Sequence, residues 1–555
     1  MQTSNIIHSL LKQNYLSDNK ALTFRTGQIF SGKVLKLYPN QIAEVQVGSH
    51  KVLAQLEIPL TVNENQWFQV ESAEGKVHLK VLDTQGTNEK QLLVGDLLKQ
   101  FSLPETKENI ALLQHFVKEQ LPITKETIRT AAEWIKSSQS IQDSLQAISA
   151  LYSKQLPFTE SVFQSITSII KDDSFLTLLE NLQTLLKNHT TTITSTRLLS
   201  MINEMSMTEK ERTINLALST LIKEAQGIQD PVKSETAMKL LQDLGFFLKE
   251  TTAKEGLEFS TEQPKNSNNI LIANKKIQTE VQSLLSTLSK NRDDALVKFT
   301  QLLSLEGSGA ETKLSSKEQE LLTSIKREVL DSIKPVDAHV VKDQLKNLIQ
   351  KIGFSYENEA AKLINNQNQE ENNKIEMLKP LLMQFLKDEP SAPFKDAAEK
   401  LLLKITGYQV LSQEVGPVQQ YVFQLPITFW DKKLDMTMQW SGRKSKYGKI
   451  DPNYCRVLFY LNLDHLKETI VDLQVQNRVI NIFITNDRKD LKVIATPFVA
   501  QLKESLAQLN YHLSSVTYNR TTESKKAING KLSDQFTNPS TIIVPNKYNG
   551  VDFRI

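Results

Sequence analysis

Apolar positions along the chain change their period several times, and each change marks an expected element. Ile6, Ile7, Leu10 and Leu11 lie on one side of a short amphipathic helix predicted over residues 1–16. Residues 20–84 carry short apolar runs instead: Val34, Leu35 and Leu37; then Ile42, Val45 and Val47; then Val52, Leu53 and Leu56. Pro39-Asn40, Gly48-Ser49 and Pro59 interrupt them, and Trp67–Val70 and Val77–Val81 follow across a Glu74-Gly75 turn. Five strands at roughly ten-residue spacing predict a small antiparallel β barrel.

From residue 88 to 404 the period is helical. Phe116–Thr124 (FVKEQLPIT) is echoed 35 positions later by Leu151–Thr159 (LYSKQLPFT). In each copy Leu-Pro ends a helix and Thr124 or Thr159 can cap the next one. The echo fits the start of an α-solenoid, and it fits two ordinary helical hairpins equally well. Thr208 with Glu211 reads as a capping box ahead of Ile214, Leu218, Leu221 and Ile222, with Gly227 and Pro231 closing that helix. Polar joints are expected near 259–269, 306–313 and 365–374.

Residues 405–520 turn mixed. Tyr421–Phe429, Leu434–Trp440, Cys455–Leu463, Thr469–Gln476 and Val479–Thr485 read as strands, with Asn477-Arg478 as a two-residue hairpin turn. Thr496-Pro497 reads as a cap and first helical residue, Val499, Leu502, Leu506 and Leu509 as a buried stripe, and Asn510 as a left-handed stop. Val516 and Tyr518 return as a last strand. Residues 521–555 form a polar linker and a tail in which Val551, Phe553 and Ile555 occupy every second position. The fold class is therefore multidomain: a small all-β barrel, a mainly α-helical middle and an α+β carboxy-terminal domain.

Composition narrows the function. Lys and Arg number 66 against 63 Asp and Glu, which removes the bulk positive field of a dedicated nucleic-acid binder. The single cysteine, Cys455, excludes an internal disulfide and a thiolate zinc cluster. No apolar run reaches the roughly 18 residues of a membrane span, and the start of the chain lacks a signal-peptide core. The expected location is cytoplasmic, or export by a route without a cleavable signal.

Candidate chemistry is thin. Gly442–Lys449 (GRKSKYGK) has five residues between its glycines instead of four and joins two expected strands, so it reads as a basic hairpin loop and not a phosphate loop. None of the 8 histidines has a second at metal-binding helical spacing. No enzyme activity, cofactor or metal is expected. Gln46, Gln55 and Gln69 stand on the barrel strands where aromatics alternating with basic residues would mark a base-stacking surface.

The carboxy-terminal block resembles the flagellar hook-length control protein family. Leu461–Leu466, Thr469–Val475 and Val479–Thr485 carry the resemblance, followed by the helix with Leu502, Leu506 and Leu509, then Asn510–Leu513 and Ser515-Val516. Lys467 stands where that pattern commonly has glycine. Leu97–Pro104 and Leu121–Thr124, after the small β domain, resemble the amino-terminal part of some members.

The resemblance implies a protein-binding domain over 405–520. Its partner would be the cytoplasmic domain of a flagellar export switch protein or a free-standing homologue. Candidate partner-binding residues are Leu466, Ile470 and Val475 near the hairpin, and Val551, Phe553 and Ile555 in the tail, which could add as a strand to a sheet edge. The hairpin residues also fit plain core, and the tail also fits a frayed terminus. The alternative reading is a nucleic-acid-associated or regulatory adaptor using the barrel and the Arg443–Lys449 loop.

Overall fold

A computed structural model describes residues 24–520 except 49, 59, 73–76, 83–88, 172, 189–191, 227–229, 247–291, 305–313, 333–337, 366–375, 389, 413, 416–417, 430–431 and 445–449. The expected helix over 1–16, the Glu74-Gly75 turn, most of the three polar joints and the linker and tail lie outside the described residues. The three-part architecture is present: a barrel, helices, then a mixed sheet with a helix.

Strands β1 (Ile29–Tyr38), β2 (Ile42–Val47), β3 (His50–Leu56), β4 (Asn65–Ser72) and β5 (Val77–Leu82) close in the order β1-β2-β3-β5-β4. The expected barrel was fully antiparallel, whereas β3 and β5 run parallel. The reason is arithmetic: directions cannot alternate all the way round a ring with an odd number of strands. Phe30, Val34, Ala43, Val45, Phe68, Val70 and Leu79 fill the interior. Gly32 faces inward with them, and a Cβ there would stand 2.7 Å from a Val45 methyl. The residue is glycine because the barrel has no room for more.

Five helices follow: α1 (Glu89–Gln100), α2 (Lys107–Lys118), α3 (Lys125–Ser137), α4 (Ile141–Ser153) and α5 (Glu160–Ile170). The echoed segments build matching corners. Gln120 and Gln155 both take left-handed backbone, at φ 53° and 51°. The next amide then returns to the helix, Leu121 N–H to Phe116 O at 2.9 Å and Leu156 N–H to Leu151 O at 2.8 Å. This closure satisfies carbonyls that the helix end leaves open. A third copy occurs earlier, where Ser102 has φ 52° and Leu103 N–H meets Leu98 O at 2.9 Å.

Each corner continues Leu-Pro-x-Thr into an N-cap. Thr106 and Thr124 accept from the backbone of Asn109 and Thr127, while Thr159 makes no side-chain cap bond. The middle corner is tied to the barrel by a two-bond bridge between Ile29 and Ile123. Trp134 packs between Phe158 and Phe163, and Phe116 meets Tyr152 edge-on, in the core that the corners enclose.

Contacts divide the chain into two compact units. One comprises the barrel and helices up to Leu178, Glu399–Leu425, and the chain from Asp435. The other is Leu179–Ala398 with Pro426–Leu434. In the second unit, Leu218, Leu221, Leu240, Leu241, Phe299 and Ile325 share one core. The expected capping box is formed there: Glu211 N–H donates to Thr208 Oγ1 at 3.1 Å, and Thr208 N–H to the Glu211 carboxylate at 2.7 Å. Pro231 begins the next helix, behind an Asp230 cap.

The carboxy-terminal sheet has the order β12-β11-β10-β9-β8-β7-β6. Its strands are β6 (Glu414–Val415), β7 (Val418–Phe429), β8 (Lys432–Lys444), β9 (Ile450–Leu463), β10 (Lys467–Gln476), β11 (Val479–Thr485) and β12 (His512–Asn519). The β11–β12 pair is parallel, and the helix Leu491–Gln508 crosses between those strands. The boundary expected at residue 405 falls inside the long helix Ala392–Leu411. That helix lies close against α5: a Cβ on Gly407 would stand 2.5 Å from Ser165 O. Lys404 Nζ, buried beside it, donates to Asp173 O at 2.6 Å.

Candidate docking surface on the carboxy-terminal sheet

Alternation along β9, β10 and β11 sorts their side chains onto two faces. One face carries Cys455, Val475, Ile480 and Ile482, which form a core with Leu513 and are joined by Val499 and Leu506 from the crossing helix. The other face is polar yet buried. Arg456 makes two bonds to Asp472, Nε to Oδ1 and Nη2 to Oδ2, both at 2.8 Å. Gln474 donates to the same carboxylate at 3.0 Å. Burial raises the Tyr460 hydroxyl above its ordinary range.

The β7–β8 end of this polar face meets helices. Asp435 accepts the Leu176 amide at 3.1 Å, at the start of Phe175–Asn188, and Tyr408 donates to Gln424 at 3.1 Å. Burial raises the Asp435 carboxyl first, against the hydrogen bonds that lower it.

The apolar face is covered differently. Its helix begins at Leu491 behind Asp490, six residues before the expected start, so Pro497 sits inside it. Proline there costs the bond its N–H would have made to the preceding turn. Of the expected buried stripe, Val499 and Leu506 do pack on the sheet, but Leu502 is 39% and Leu509 49% exposed. Ile494 and Phe498 are exposed with them, Phe498 at 64%. The positions 494, 498, 502 and 509 fall on one stripe beside the packed one.

The helix packs on β12, at the edge of the sheet. The face of the sheet that receives Val499 and Leu506 continues across β10 and β9. The sheet there offers half-buried Val471 and Leu473, paired with Phe459 and Val457, and beyond them Trp440 at 36% exposure. The exposed stripe of the helix and these half-buried positions together give the domain apolar surface.

Just past β11 the chain is held by a side chain that the sequence did not single out. Asn486, at 1% exposure, donates to Leu466 O at 2.6 Å, Glu468 O at 2.9 Å and Thr469 Oγ1 at 2.9 Å. Its own Oδ1 accepts from Arg488 N at 2.8 Å. Lys467, in the turn so fixed, adopts φ 56°. An asparagine in a polar run gives no pattern from which this anchoring could be read.

The expected partner-binding residues separate. Val475 is 3% exposed and belongs to the core, so its side chain holds the sheet together and does not reach the surface. Ile470 is half-buried on the polar face beside Asp472, and Leu466 is half-buried in the turn. Val551, Phe553 and Ile555 lie outside the described residues. The structure thus separates the three hairpin candidates, and the exposed helix residues were not anticipated: Leu502 and Leu509 were expected to be buried.

Other candidates are quickly placed. Arg443 stacks over Tyr454 at 5.2 Å, and β8 pairs antiparallel with β9 on either side of the basic loop. Cys455 is 7% exposed, and burial pushes its thiol up. Among the described residues no group of three or more His, Cys, Asp or Glu could hold a metal, and no helix is long and apolar enough to cross a membrane. On the barrel, Ser31, Lys33, Gln46, Asn65 and Gln120 line an open polar cleft of about 230 Å³.

Comparison with known proteins bears on the two ends of this description. The family described as TP0910 S1-like domain matches residues 6–80, the barrel segment. No solved structure matches the chain. Over nearly its whole length the chain is similar to the uncharacterized protein YlqG of Bacillus subtilis (strain 168), 25% identical over 539 residues covering 92% of this chain and 93% of that protein.

Proposed function

We propose that this protein is a non-enzymatic docking protein of the flagellar or type III export apparatus, acting in the cytoplasm through its carboxy-terminal domain. The exposed apolar stripe of the Leu491–Gln508 helix carries the reading. Exposing Phe498, Ile494, Leu502 and Leu509 together is costly in water and is rewarded when a partner covers them. Lys467 supports the hook-length control resemblance, since it holds the left-handed backbone for which glycine is the usual choice. The strand hairpin, helix and closing strand follow one another in the order that the resemblance implies.

The partner is the cytoplasmic domain of an export switch protein or a free-standing homologue. Calorimetry of the full chain against that domain tests it: saturable heat at tens of micromolar is expected, abolished by Phe498→Asp with Leu502→Asp. Absence of heat and of co-elution for the unaltered chain overturns the proposal.

The S1-like match favours a second reading, in which the barrel binds single-stranded nucleic acid. Five-stranded barrels are used in that way, and the cleft at Lys33 is polar. Anisotropy of a labelled RNA should then show salt-dependent binding that is weakened by Lys33→Ala. Flat anisotropy at low salt removes it.

A further inference from the structure

We infer that the end of the carboxy-terminal sheet where Arg443, Lys444 and Arg478 converge receives an acidic segment of a protein partner. The inference extends the proposed function by naming the partner's chemistry, and rests on it only in taking this domain as the docking unit. Register brings the three cations together. Lys444 lies opposite Ile450, Tyr454 opposite Gln476 and Val479 opposite His512, so the end of β8, the start of β9 and the β10–β11 turn share one end of the sheet. The β8–β9 ladder is irregular there. Gly442 faces Cys455 and Lys444 faces Ile450, so the single residue Arg443 stands against the four of Asp451–Tyr454. Bulges re-aim side chains in this way.

The bulged segment is pinned by the β10–β11 turn and by the approach to β12. Asn477 N–H donates to Asn453 O at 2.7 Å, Arg478 Nε to Asn453 Oδ1 at 3.0 Å, and the Tyr511 hydroxyl to Pro452 O at 3.4 Å. Two arginine–tyrosine stacks flank it, Arg443 over Tyr454 at 5.2 Å and Arg478 over Tyr511 at 5.7 Å. Stacking holds each guanidinium plane in place, which lowers the entropy lost when a carboxylate docks. Asn477 and Arg478 adopt φ 50° and 65°, and glycine is the usual second residue of such a turn. Arginine is kept there against its backbone preference. It is exposed, and it pairs with no carboxylate among the described residues.

Residues 442–444, 450–455, 475–480 and 509–513 build this end, and the one carboxylate in them is Asp451. Its Oδ1 already accepts from Asn453 N at 2.9 Å and Nδ2 at 3.0 Å. The exposed apolar stripe of the Leu491–Gln508 helix runs on to Leu509, two positions before Tyr511, so Arg478 stands where the apolar strip ends. A partner that covers both offers apolar side chains followed by Asp or Glu. Nucleic acid fits less well, because it draws its affinity from many phosphate contacts, of order six to ten. Guanidinium forks take carboxylates one at a time.

A labelled peptide of alternating glutamate and alanine, titrated with the full chain and read by anisotropy, tests the inference without a natural partner. Saturable binding at low salt is expected, and it should be lost as salt rises. Arg478→Gly removes the charge while giving the turn the residue it favours. The melting temperature should therefore hold or rise while peptide affinity falls about fivefold. Arg443→Ala should cost a similar factor. No binding at low salt, or equal affinity in either variant, overturns the inference. So does tighter binding of oligouridine RNA that Arg478→Gly abolishes, which would make nucleic acid the occupant. Peptide binding that depends on Arg478, with no heat from the export switch domain, speaks only against the proposed function. Heat from that domain, with no effect of Arg478→Gly on the peptide, sinks this inference alone.

Discussion

Arg456 and Asp472 face each other from neighbouring strands, β9 and β10, through two 2.8 Å bonds with each side chain about 3% exposed. The geometry is the bidentate fork that makes an Arg–carboxylate pair strong. Removing one partner strands the other charge. Asp472→Asn is expected to cost about 3–5 kcal/mol, and replacing both residues with apolar ones much less. Urea denaturation of the two variants distinguishes these outcomes. Equal losses would mean that packing, and not an orphaned guanidinium, sets the penalty.

Lys154, at the end of α4, has its amine pulled down to about 7 by burial. The folded state therefore sheds this proton near pH 7, while the unfolded chain keeps it to its ordinary 10.5. Between those values the unfolded state binds more protons, so stability rises with pH by up to ~1.4 kcal/mol per unit. Below pH 7 both states are charged and the cost of burial is fully present. Melting followed from pH 7 to 9.5 should show a rise that Lys154→Met flattens. A parallel profile in the variant would place the titration elsewhere.

Lys467 holds φ 56°, a conformation that costs a residue with a side chain roughly 1 kcal/mol more than glycine. Lys467→Gly should therefore stabilise the domain by about 0.5–1 kcal/mol, less the added freedom of the unfolded chain. A clear loss of stability on thermal melting would show that the lysine side chain contributes something that the turn geometry does not.

Gly407 gives the opposite sign to a familiar substitution. In an ordinary helix Gly→Ala gains about 1 kcal/mol. Here the new methyl would meet Ser165 O at 2.5 Å and an Ile169 methyl at 2.6 Å, and one of them is rigid backbone. Gly407→Ala should destabilise by about 1–3 kcal/mol. A neutral result would mean that the two helices separate freely.

The legible parts of this fold were those in which one side of an element is apolar and the other polar. Ile480, Ile482 and Ile484 alternate with Asn481 and Phe483, and the strand was readable to within a residue. Asn477 and Arg478 both adopt positive φ, as a two-residue hairpin requires. Thr496-Pro497 misled because it is a strong start signal locally, yet the helix had already begun at Asp490-Leu491, a few residues after β11 ends. The third Leu-Pro-x-Thr corner escaped because its helical half, LKQFS, shares little with the other two.

The exposed stripe was hidden for a different reason. Apolar residues at helical spacing look the same whether they meet a sheet or open space, so Val499 and Leu502 could not be told apart. The buried Arg456–Asp472 face was likewise invisible, because a charge pair 16 residues apart gives no periodic signal. Only the register of β9 against β10 brings the two together.

Lys404 and Asp435 have a temporal side. The carbonyl of Asp173 and the amide of Leu176, which these two residues satisfy, are made long before them: Asp435 follows Leu176 by 259 positions. At about 5–20 residues per second a ribosome needs ~13–50 s to bridge that gap. Throughout that interval the nascent helical corner stays in contact with water and without its two ionic clasps.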